Sequence, residues 1–183
     1  MVAKLRFVSR NKLKLAEAAS ILGPLGVLVA PVEQVIEELQ TTDTTSLVRD
    51  KALKAFRYLG EPLFVEHTGL YLERLNGFPG GLTQIFWDSL EADRFCALFG
   101  GGADKVLAKT LIGYIDGKKC HFFEGDIAGR ISLEPRGPRD FQWDCVFIPD
   151  GFTETFAELG DRKNEISMRR RALDKFAGFL KEK

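Results

Sequence analysis

The first third of the chain alternates short apolar runs with segments whose apolar residues recur at helical spacing. The runs predict strands over residues 5–8, 27–30 and 63–66, and the helical spacing predicts helices over 11–22 and 46–59. A glycine follows each helical segment, as is common at helix ends. This β-α-β-α-β order predicts an α/β core in which the strands pair in parallel.

The rest of the chain changes to a pattern typical of antiparallel pairing. Two strand-like segments flank Asp116-Gly117, a dipeptide that favours a tight hairpin turn. The predicted elements are, in chain order, a helix in two pieces over 83–99, hairpin strands over 105–115 and 119–127, a short strand over 131–133, and helices over 153–159 and from about 164. We therefore expect an α/β fold with a mixed sheet. Residues 1–183 should form a single domain, because no repeat or linker interrupts them.

Charge and composition narrow the classes of function. The 26 basic and 26 acidic residues balance, so the whole chain has no electrostatic attraction to nucleic acid. No apolar run approaches the roughly 20 residues that span a bilayer, and the first residues lack a signal-peptide pattern. We expect a cytoplasmic protein with neither a nucleic-acid nor a membrane partner. Cys96, Cys120 and Cys145 are widely spaced, which favours reduced thiols over a zinc site or a disulfide framework.

The first candidate for chemistry lies where the first predicted strand gives way to the first helix. Backbone N–H groups at a helix N-terminus favour an anion, and Ser9, Asn11 and Lys14 add two short polar side chains and a cation there. This combination predicts a phosphate cradle. An equally weighted alternative is that Asn11 only caps the helix and the lysine is solvated.

Acidic residues and one lysine form a second group of candidates. Glu37, Glu38 and Glu66 come from two separate segments and could share a hard cation such as Mg²⁺, although isolated acids are more often solvated. Lys51 flanks the apolar face of its helix, whereas Lys54 points nearly away from that apolar face. Lys51 is therefore the better placed of the two to reach inward, with an ordinary surface lysine as the alternative.

The sequence Val65-Glu66-His67-Thr68-Gly69-Leu70 places an acid beside an imidazole at the end of the third predicted strand. This arrangement is typical of a reactive site, and it is also compatible with an ordinary strand terminus. With an unperturbed pKa of about 6.5, the histidine could act as a general base near neutral pH.

Two stretches near the C-terminus complete the candidates. Residues 141–144 place aromatic rings beside a carboxylate, which could sandwich a base and read its edge, or could simply be core and turn. Lys163, Ser167 and Arg169 could donate hydrogen bonds to a carbonyl or a phosphate. The arginine run 169–171 is otherwise a solvated helix face.

The order of these motifs resembles that of the inosine triphosphate pyrophosphatase family, and the resemblance covers residues 7–179. Six motifs occur in the same order as in that family. They are Ser9/Asn11/Lys14, Glu38-Leu39-Gln40, Val65-Glu66-His67-Thr68-Gly69-Leu70, Gly77-Phe78-Pro79-Gly80, Phe141-Gln142-Trp143-Asp144 and Lys163-Asn164-Glu165-Ile166-Ser167-Met168-Arg169.

The resemblance implies an elongated α/β domain with two lobes, a central nucleotide cleft and a homodimeric assembly. It implies hydrolysis of a nucleoside triphosphate, of the non-standard purine kind, to the monophosphate and pyrophosphate with Mg²⁺. By the same resemblance the triphosphate, the metal, the reactive groups and the base each have expected partners. Those partners are Ser9, Asn11, Lys14 and Lys51 for the triphosphate, Glu38, Glu66 and His67 for the metal, His67, Glu66 and Lys51 for catalysis, and Thr68, Gly69, Phe141, Trp143, Asp144, Lys163, Ser167, Met168 and Arg169 for the rest of the substrate.

Two residues and one loop depart from the family pattern. His67 stands where the family has an aspartate, Met168 where it has a histidine, and residues 81–83 differ from its usual loop. Imidazole is a poor Mg²⁺ ligand and a less poor one for Mn²⁺, so we expect a changed metal preference. Met168 removes a donor from the expected base pocket, which predicts weaker discrimination between bases.

Three functions remain open from the sequence. The first is an active nucleoside triphosphate pyrophosphatase with altered base or metal preference. The second is a catalytically impaired nucleotide-binding protein that acts as a sensor or a partner subunit. The third is an α/β domain whose site has drifted and whose role is interaction alone. We favour the first, because most of the residues that the resemblance assigns to the site are present.

Overall fold

A computed structural model describes residues 3–182 as a mixed sheet with helices on both faces. The strands are β1 (Ala3–Val8), β2 (Val27–Val32), β3 (Leu63–Leu72), β4 (Val106–Ile115), β5 (Cys120–Ile131) and β6 (Phe147–Pro149). The helices are α1 (Lys12–Leu22), α2 (Thr44–Leu59), α3 (Thr83–Phe99), α4 (Phe156–Leu159), α5 (Lys163–Ile166) and α6 (Met168–Lys181).

Within residues 3–182, the six strands form one sheet in the order β2-β1-β3-β4-β5-β6. The neighbours β2, β1 and β3 run parallel, and every later pair from β3 to β6 is antiparallel. The predicted α/β class, the parallel first half and the antiparallel second half are therefore confirmed.

Helix α2 shows why the helical spacing gave a sound prediction. The carboxylate of Asp43 caps its first turn, and Gly60 ends it in the left-handed conformation that glycine adopts without steric cost. Leu47, Val48 and Ala52 lie buried along the side that packs on β3 and β4. On the opposite face of the sheet, α1 and α6 pack against β1, β3 and β4.

Strand β3 is longer than predicted, and the difference matters for function. The sequence placed its end at Glu66, but it continues to Leu72 because β4 pairs with all of it. The polar run at 66–69 is therefore mid-strand. Alternate residues of a strand point to opposite faces, which sends His67 towards α2 and its neighbour Glu66 towards α6.

The end of the chain departs from prediction at three further points. The short strand expected at 131–133 is only the last residue of β5, which runs without interruption to Ile131. Strand β6 was missed, since three residues are too few to show a period. The expected continuous last helix is divided at Ser167, whose extended backbone ends α5 and whose hydroxyl caps α6.

Other sequence expectations are settled by the same structure. Helix α3 is kinked at Glu91, which confirms the two predicted pieces. Among the residues described, no helix is both long and apolar enough to cross a membrane. Cys96, Cys120 and Cys145 are free thiols, and the first and last of them are buried.

Close packing of α6 on β5 depends on one glycine, and this gives a test of the fold. A Cβ atom added at Gly125 would overlap the Met168 carbonyl oxygen and the Ala172 amide nitrogen. We expect Gly125→Ala to lower the free energy of unfolding by about 1–3 kcal/mol or more, because the two backbones must separate. Urea denaturation of the purified variant measures this loss.

Gly178→Ala is the matched control on the exposed side of the same helix. A Cβ atom there would meet nothing within 4 Å. Replacing a helical glycine by alanine should raise the free energy of unfolding by roughly 0.5–1 kcal/mol. Equal effects of the two variants would contradict the packing described here.

Candidate active site

A cleft of about 490 Å³ opens beside β3, at the end of β1. The parallel pairing of β1 with β3 covers only Arg6 and Phe7 on β1, opposite Leu63 and Phe64 on β3. Beyond this point β1 ends while β3 continues, and among residues 3–182 the next contacts on this edge of β3 come only from residues 77–83, which bond to Leu70, Tyr71 and Leu72. The cleft lies beside that edge, and it is lined by residues of β1, α1, α2, β3 and α3 and of connecting segments.

The first wall of the cleft is the junction between β1 and α1. The side chain of Asn11 accepts hydrogen bonds from the backbone N–H groups of Leu13 and Lys14, at 3.0 and 3.1 Å. The Ser9 hydroxyl accepts from the Asn11 amide at 3.2 Å. Asn11 is thus the helix cap, as one alternative had it, and the same three residues Ser9, Asn11 and Lys14 also line the cleft. The two readings of this motif are compatible.

The second wall brings together a lysine, a glutamate and the histidine. The ammonium of Lys51 lies 2.5 Å from Glu38 Oε1, and the other carboxylate oxygen lies 4.0 Å from His67 Nδ1. The nearby Lys51 lowers the pKa of Glu38 although burial acts to raise it. Lys54, by contrast, is exposed and donates to the Glu37 carbonyl. The helical positions of the two lysines therefore correctly predicted that Lys51 is the one that reaches inward.

His67 is buried, and its electrostatic surroundings keep it neutral. Burial lowers the pKa of its imidazole to about 4, and the ammonium of Lys14 adds to the effect. Its Nε2 atom is buried with no hydrogen-bond partner among the described residues. A buried ring nitrogen without a hydrogen bond lowers the stability of the fold, unless a bound molecule supplies the missing hydrogen bond. The neutral ring can therefore accept a proton at Nε2. It is a weaker base than a histidine with the ordinary pKa of about 6.5.

Glu66 and Arg169 form a buried ion pair at the back of the cleft. Arg169 donates to both oxygens of Glu66, at 2.7 and 3.3 Å, and Lys14 Nζ lies 2.7 Å from Oε1. Burial acts to raise the pKa of Glu66, but Arg169 and Lys14 outweigh it and lower the pKa far below its usual value. Arg169 also donates to Thr68 at 3.4 Å and to the carboxylate of Glu17.

A second pocket of about 430 Å³ is lined by Glu17, Phe141, Asp144 and Lys163. Arg169 connects the two linings, because it is bonded to Glu66 of the first pocket and to Glu17 of the second. Lys163 Nζ lies 2.6 Å from Asp144 Oδ2 and 4.3 Å from the centre of the Phe141 ring. Its ammonium also reaches Glu17 at 3.4 Å. Burial raises the pKa of Asp144 despite the nearby Lys163. The pocket thus offers an aromatic face, a cation and carboxylates to a planar polar group.

Five of the predicted substrate-binding residues do not line either pocket. One of them is Arg169, whose guanidinium is bonded to Glu66 and Glu17. Trp143 and Met168 are buried in the apolar core around Phe147 and Phe156. Ser167 is occupied as the cap of α6, and Gly69 packs against the Gly80 carbonyl group. The expectation that Met168 alters the base pocket is therefore corrected, because its side chain faces the core.

The three expected metal ligands are also not assembled as one metal site. Over residues 3–182, no three His, Cys, Asp or Glu side chains are grouped so as to hold a metal ion. The oxygens of Glu66 are occupied by Arg169 and Lys14, which explains why it cannot join the other two. Glu38 is the remaining carboxylate at the mouth of the cleft.

Three residues of this region were missed from the sequence. Glu17 lies one turn beyond Lys14 on α1, a helical spacing that could have placed it near the site. Gln84 and Gln142 line the cleft from distant parts of the chain. No pattern in the sequence could have brought those two together.

Comparison with known proteins identifies relatives that match almost the whole chain. The chain is 36% identical over 181 residues to a protein of Thermococcus kodakarensis named dITP/XTP pyrophosphatase, covering 98% of each chain. It is 38% identical over 182 residues to the inosine triphosphate pyrophosphatase of Yarrowia lipolytica, covering 97% of this chain and 95% of the other.

The fold has a solved counterpart as well. A HAM1 protein from Coxiella burnetii superposes with a TM-score of 0.78 at 24% identity, covering 99% of this chain and 100% of the other. The sequence model of the Ham1 family matches residues 5–179. With nearly its whole length matched, the chain belongs to the Ham1 family.

Proposed function

We propose that the protein hydrolyses non-standard purine nucleoside triphosphates to the monophosphate and pyrophosphate. The observation that carries the proposal is the presence of two pockets, one with the cations Lys14 and Lys51 and the other with the aromatic ring of Phe141, whose linings are connected through Arg169. A triphosphate fits the first by charge and a base fits the second by shape and polarity. The names of the relatives support dITP, XTP and ITP as substrates.

The phosphate end would be held by the first turn of α1 and by two lysines. Backbone N–H groups at a helix N-terminus attract anions, and Ser9 and Asn11 hold this turn in place. Lys14 and Lys51 reach the same cleft from two helices. Together they neutralise the charge that builds up when the anhydride bond breaks.

The base end would be held by Phe141 and the charged groups around it. The ring of Phe141 offers a stacking face, and Lys163 and Arg169 can donate to the 6-oxo group of the purine. Asp144 can accept from a ring N–H group. A 6-amino purine presents a donor where these cations require an acceptor, so the pocket disfavours adenine.

His67 would take a proton from the attacking water. Burial, and to a lesser extent Lys14, lowers the pKa of its imidazole to about 4. A bound triphosphate places negative charge beside both groups, which raises the pKa of the imidazole towards the working pH. The unpartnered Nε2 atom is then the site that accepts the proton.

A divalent cation fits this site through Glu38 alone. Mg²⁺ usually binds one or two carboxylates together with substrate phosphates and water, so a three-residue protein site is not needed. Glu38 has one oxygen directed towards the histidine and one paired with Lys51. When bound, the cation would neutralise phosphate charge. Mg²⁺ is the proposed ion, with Mn²⁺ more acceptable than usual if His67 contributes.

Three further features belong to the same proposal. One domain over residues 1–183 would work as a homodimer, for which exposed apolar side chains such as Leu28 and Val35 provide contact area. The free thiols support a reducing, cytoplasmic setting. The balanced charge supports a small-molecule partner over nucleic acid.

The first test is product analysis. Purified protein with ITP, XTP, dITP, GTP or ATP and Mg²⁺ or Mn²⁺ should release pyrophosphate and the monophosphate, with ATP the poorest substrate. Release of orthophosphate and a diphosphate would contradict the proposal. Nucleotide that raises the melting temperature without being consumed would show a binding protein instead.

Replacing His67 tests the proton acceptor. His67→Asn keeps the size and polarity of the side chain but removes the base, so kcat should fall by about 100-fold or more, with a smaller change in KM. His121→Asn is the matched control, because the other histidine bonds Asp116 at the far end of the hairpin. An unchanged kcat in His67→Asn would remove His67 from the chemistry.

The two lysines of α2 test the phosphate site. Lys51→Ala should lower kcat/KM by about 10-fold to 100-fold, the scale of a charge-assisted hydrogen bond. Lys54→Ala, one turn further along on the exposed side, should leave kcat/KM within about two-fold, as for exposed ion pairs. Similar losses in both variants would indicate a general charge effect rather than a contact with the triphosphate.

A further inference from the structure

Two threonines face each other across β3 and β4 at the cationic cleft. Thr68 lies directly opposite Thr110 in the antiparallel register, and their hydroxyl oxygens are 2.6 Å apart. Thr68 is half-buried and lines the cleft, whereas Thr110 is fully buried and does not. The pair therefore connects a hydroxyl group at the cleft to one that a substrate cannot reach.

Burial decides which of the two hydroxyl groups donates. A hydroxyl group has one proton to donate and two lone pairs that can accept. Within residues 3–182, Thr68 is the one hydrogen-bond partner of the Thr110 hydroxyl. If Thr68 were the donor, the proton of Thr110 would be buried without an acceptor, which is destabilising. We therefore assign the bond as a donation from Thr110 to the Thr68 oxygen.

Arg169 completes the orientation of the Thr68 hydroxyl. Its Nη2 group donates to the same oxygen at 3.4 Å, so both lone pairs of Thr68 are in use and its proton points away from these two donors. The nearest acceptor is Glu66 Oε1 at 3.5 Å, the limit of hydrogen-bonding distance. That oxygen already accepts from Lys14 and Arg169. An acceptor oxygen bound in the cleft would therefore compete well for the Thr68 proton.

We propose that Thr110 is a positioning residue, which directs the Thr68 hydroxyl proton to a phosphate oxygen of the bound nucleotide. This inference rests on the proposed function and adds a buried residue to its phosphate site. The acceptor is a phosphate oxygen because Lys14 and Lys51 line the same cleft. A donor that is already oriented needs no reorientation when the substrate binds, and this strengthens binding. Thr68 touches the substrate, and Thr110 acts only through Thr68.

Thr110→Val tests the buried hydroxyl, because valine keeps the shape of the side chain and has no proton to donate. The KM for ITP should rise by about three-fold to ten-fold, with kcat within about two-fold of the wild type, since the contact exists in both the ground state and the transition state. Thr110→Ser keeps the hydroxyl and should hold KM within about two-fold of the wild type. Equal increases in both variants would overturn the assignment, because the hydroxyl would then not be the cause.

Thr68→Val shows whether the effect of Thr110 passes through Thr68. This variant should raise the KM for ITP by about ten-fold, the scale of one hydrogen bond. Adding Thr110→Val to it should change KM no further, because the residue that Thr110 orients is already gone. A double variant whose KM is the product of the two single effects would contradict the proposal.

Ile112→Val is the matched control on the same face of β4. Ile112 lies two residues beyond Thr110 and is buried against α6, so its shortening weakens the core without changing a hydroxyl group. Its KM should stay within about two-fold of the wild type, and an increase equal to that of Thr110→Val would overturn the assignment. If Thr110→Val does not fold, Thr110→Cys replaces it with the same expected KM, because a thiol donates only weakly.

The remaining outcomes separate this inference from the function on which it rests. Wild-type protein that hydrolyses ITP, together with an unchanged KM in Thr110→Val, would overturn the role of Thr110 and leave the proposed function intact. Wild-type protein that neither cleaves ITP nor is stabilised by it in thermal unfolding would refute the proposed function, and the inference with it.

Discussion

The buried ion pair between Glu66 and Arg169 is the interaction on which the rest of the site depends. It joins the middle of β3 to the first turn of α6, at positions 103 residues apart, and both side chains are almost fully buried. Removing one partner of such a pair typically costs roughly 3–5 kcal/mol, because the other charge is left unpaired. Lys14 and Glu17 extend the pair onto α1. One charge network therefore sets the spacing of three elements.

The charge network lies where the sheet opens, beyond the end of β1. The parallel pairing of β1 with β3 is short, and on that edge β3 has no further partner in the described chain until residues 77–83, while β4 covers the whole of its other edge. Backbone hydrogen bonding on the β4 side keeps the strand regular through the three polar residues Glu66, His67 and Thr68. Its alternating side chains can then face two different helices. The change from parallel to antiparallel pairing is thus what places His67 near α2 and Glu66 near α6.

The sequence predicted most of the fold and only part of the site. Helices and strands with clear periods were found, whereas β6 was too short and the end of β3 was set by a partner strand far along the chain. Ser9, Asn11 and Lys14 were grouped by the junction between a strand and a helix, and Lys51 was chosen by its position on a helix; all four line the cleft. Trp143 and Met168 were assigned to the substrate by motif alone, and a motif cannot tell which side of a turn faces the core. Side-chain pairs such as that between Gln84 and Gln142 exist only in three dimensions.

The pairing of charges in the cleft bears on how the proposed substrate would bind. Lys51 is paired with Glu38 and Lys14 with Glu66, so none of these four charges is left without a partner. Under the proposed function, a triphosphate that bonds to Lys51 would leave Glu38 without a cation, and a divalent ion that accompanies the triphosphate would supply one. Lys14 differs, since Glu66 would keep Arg169 as its partner if the lysine turned to the phosphate. Binding would then be an exchange of partners at Glu38, a half-exposed carboxylate.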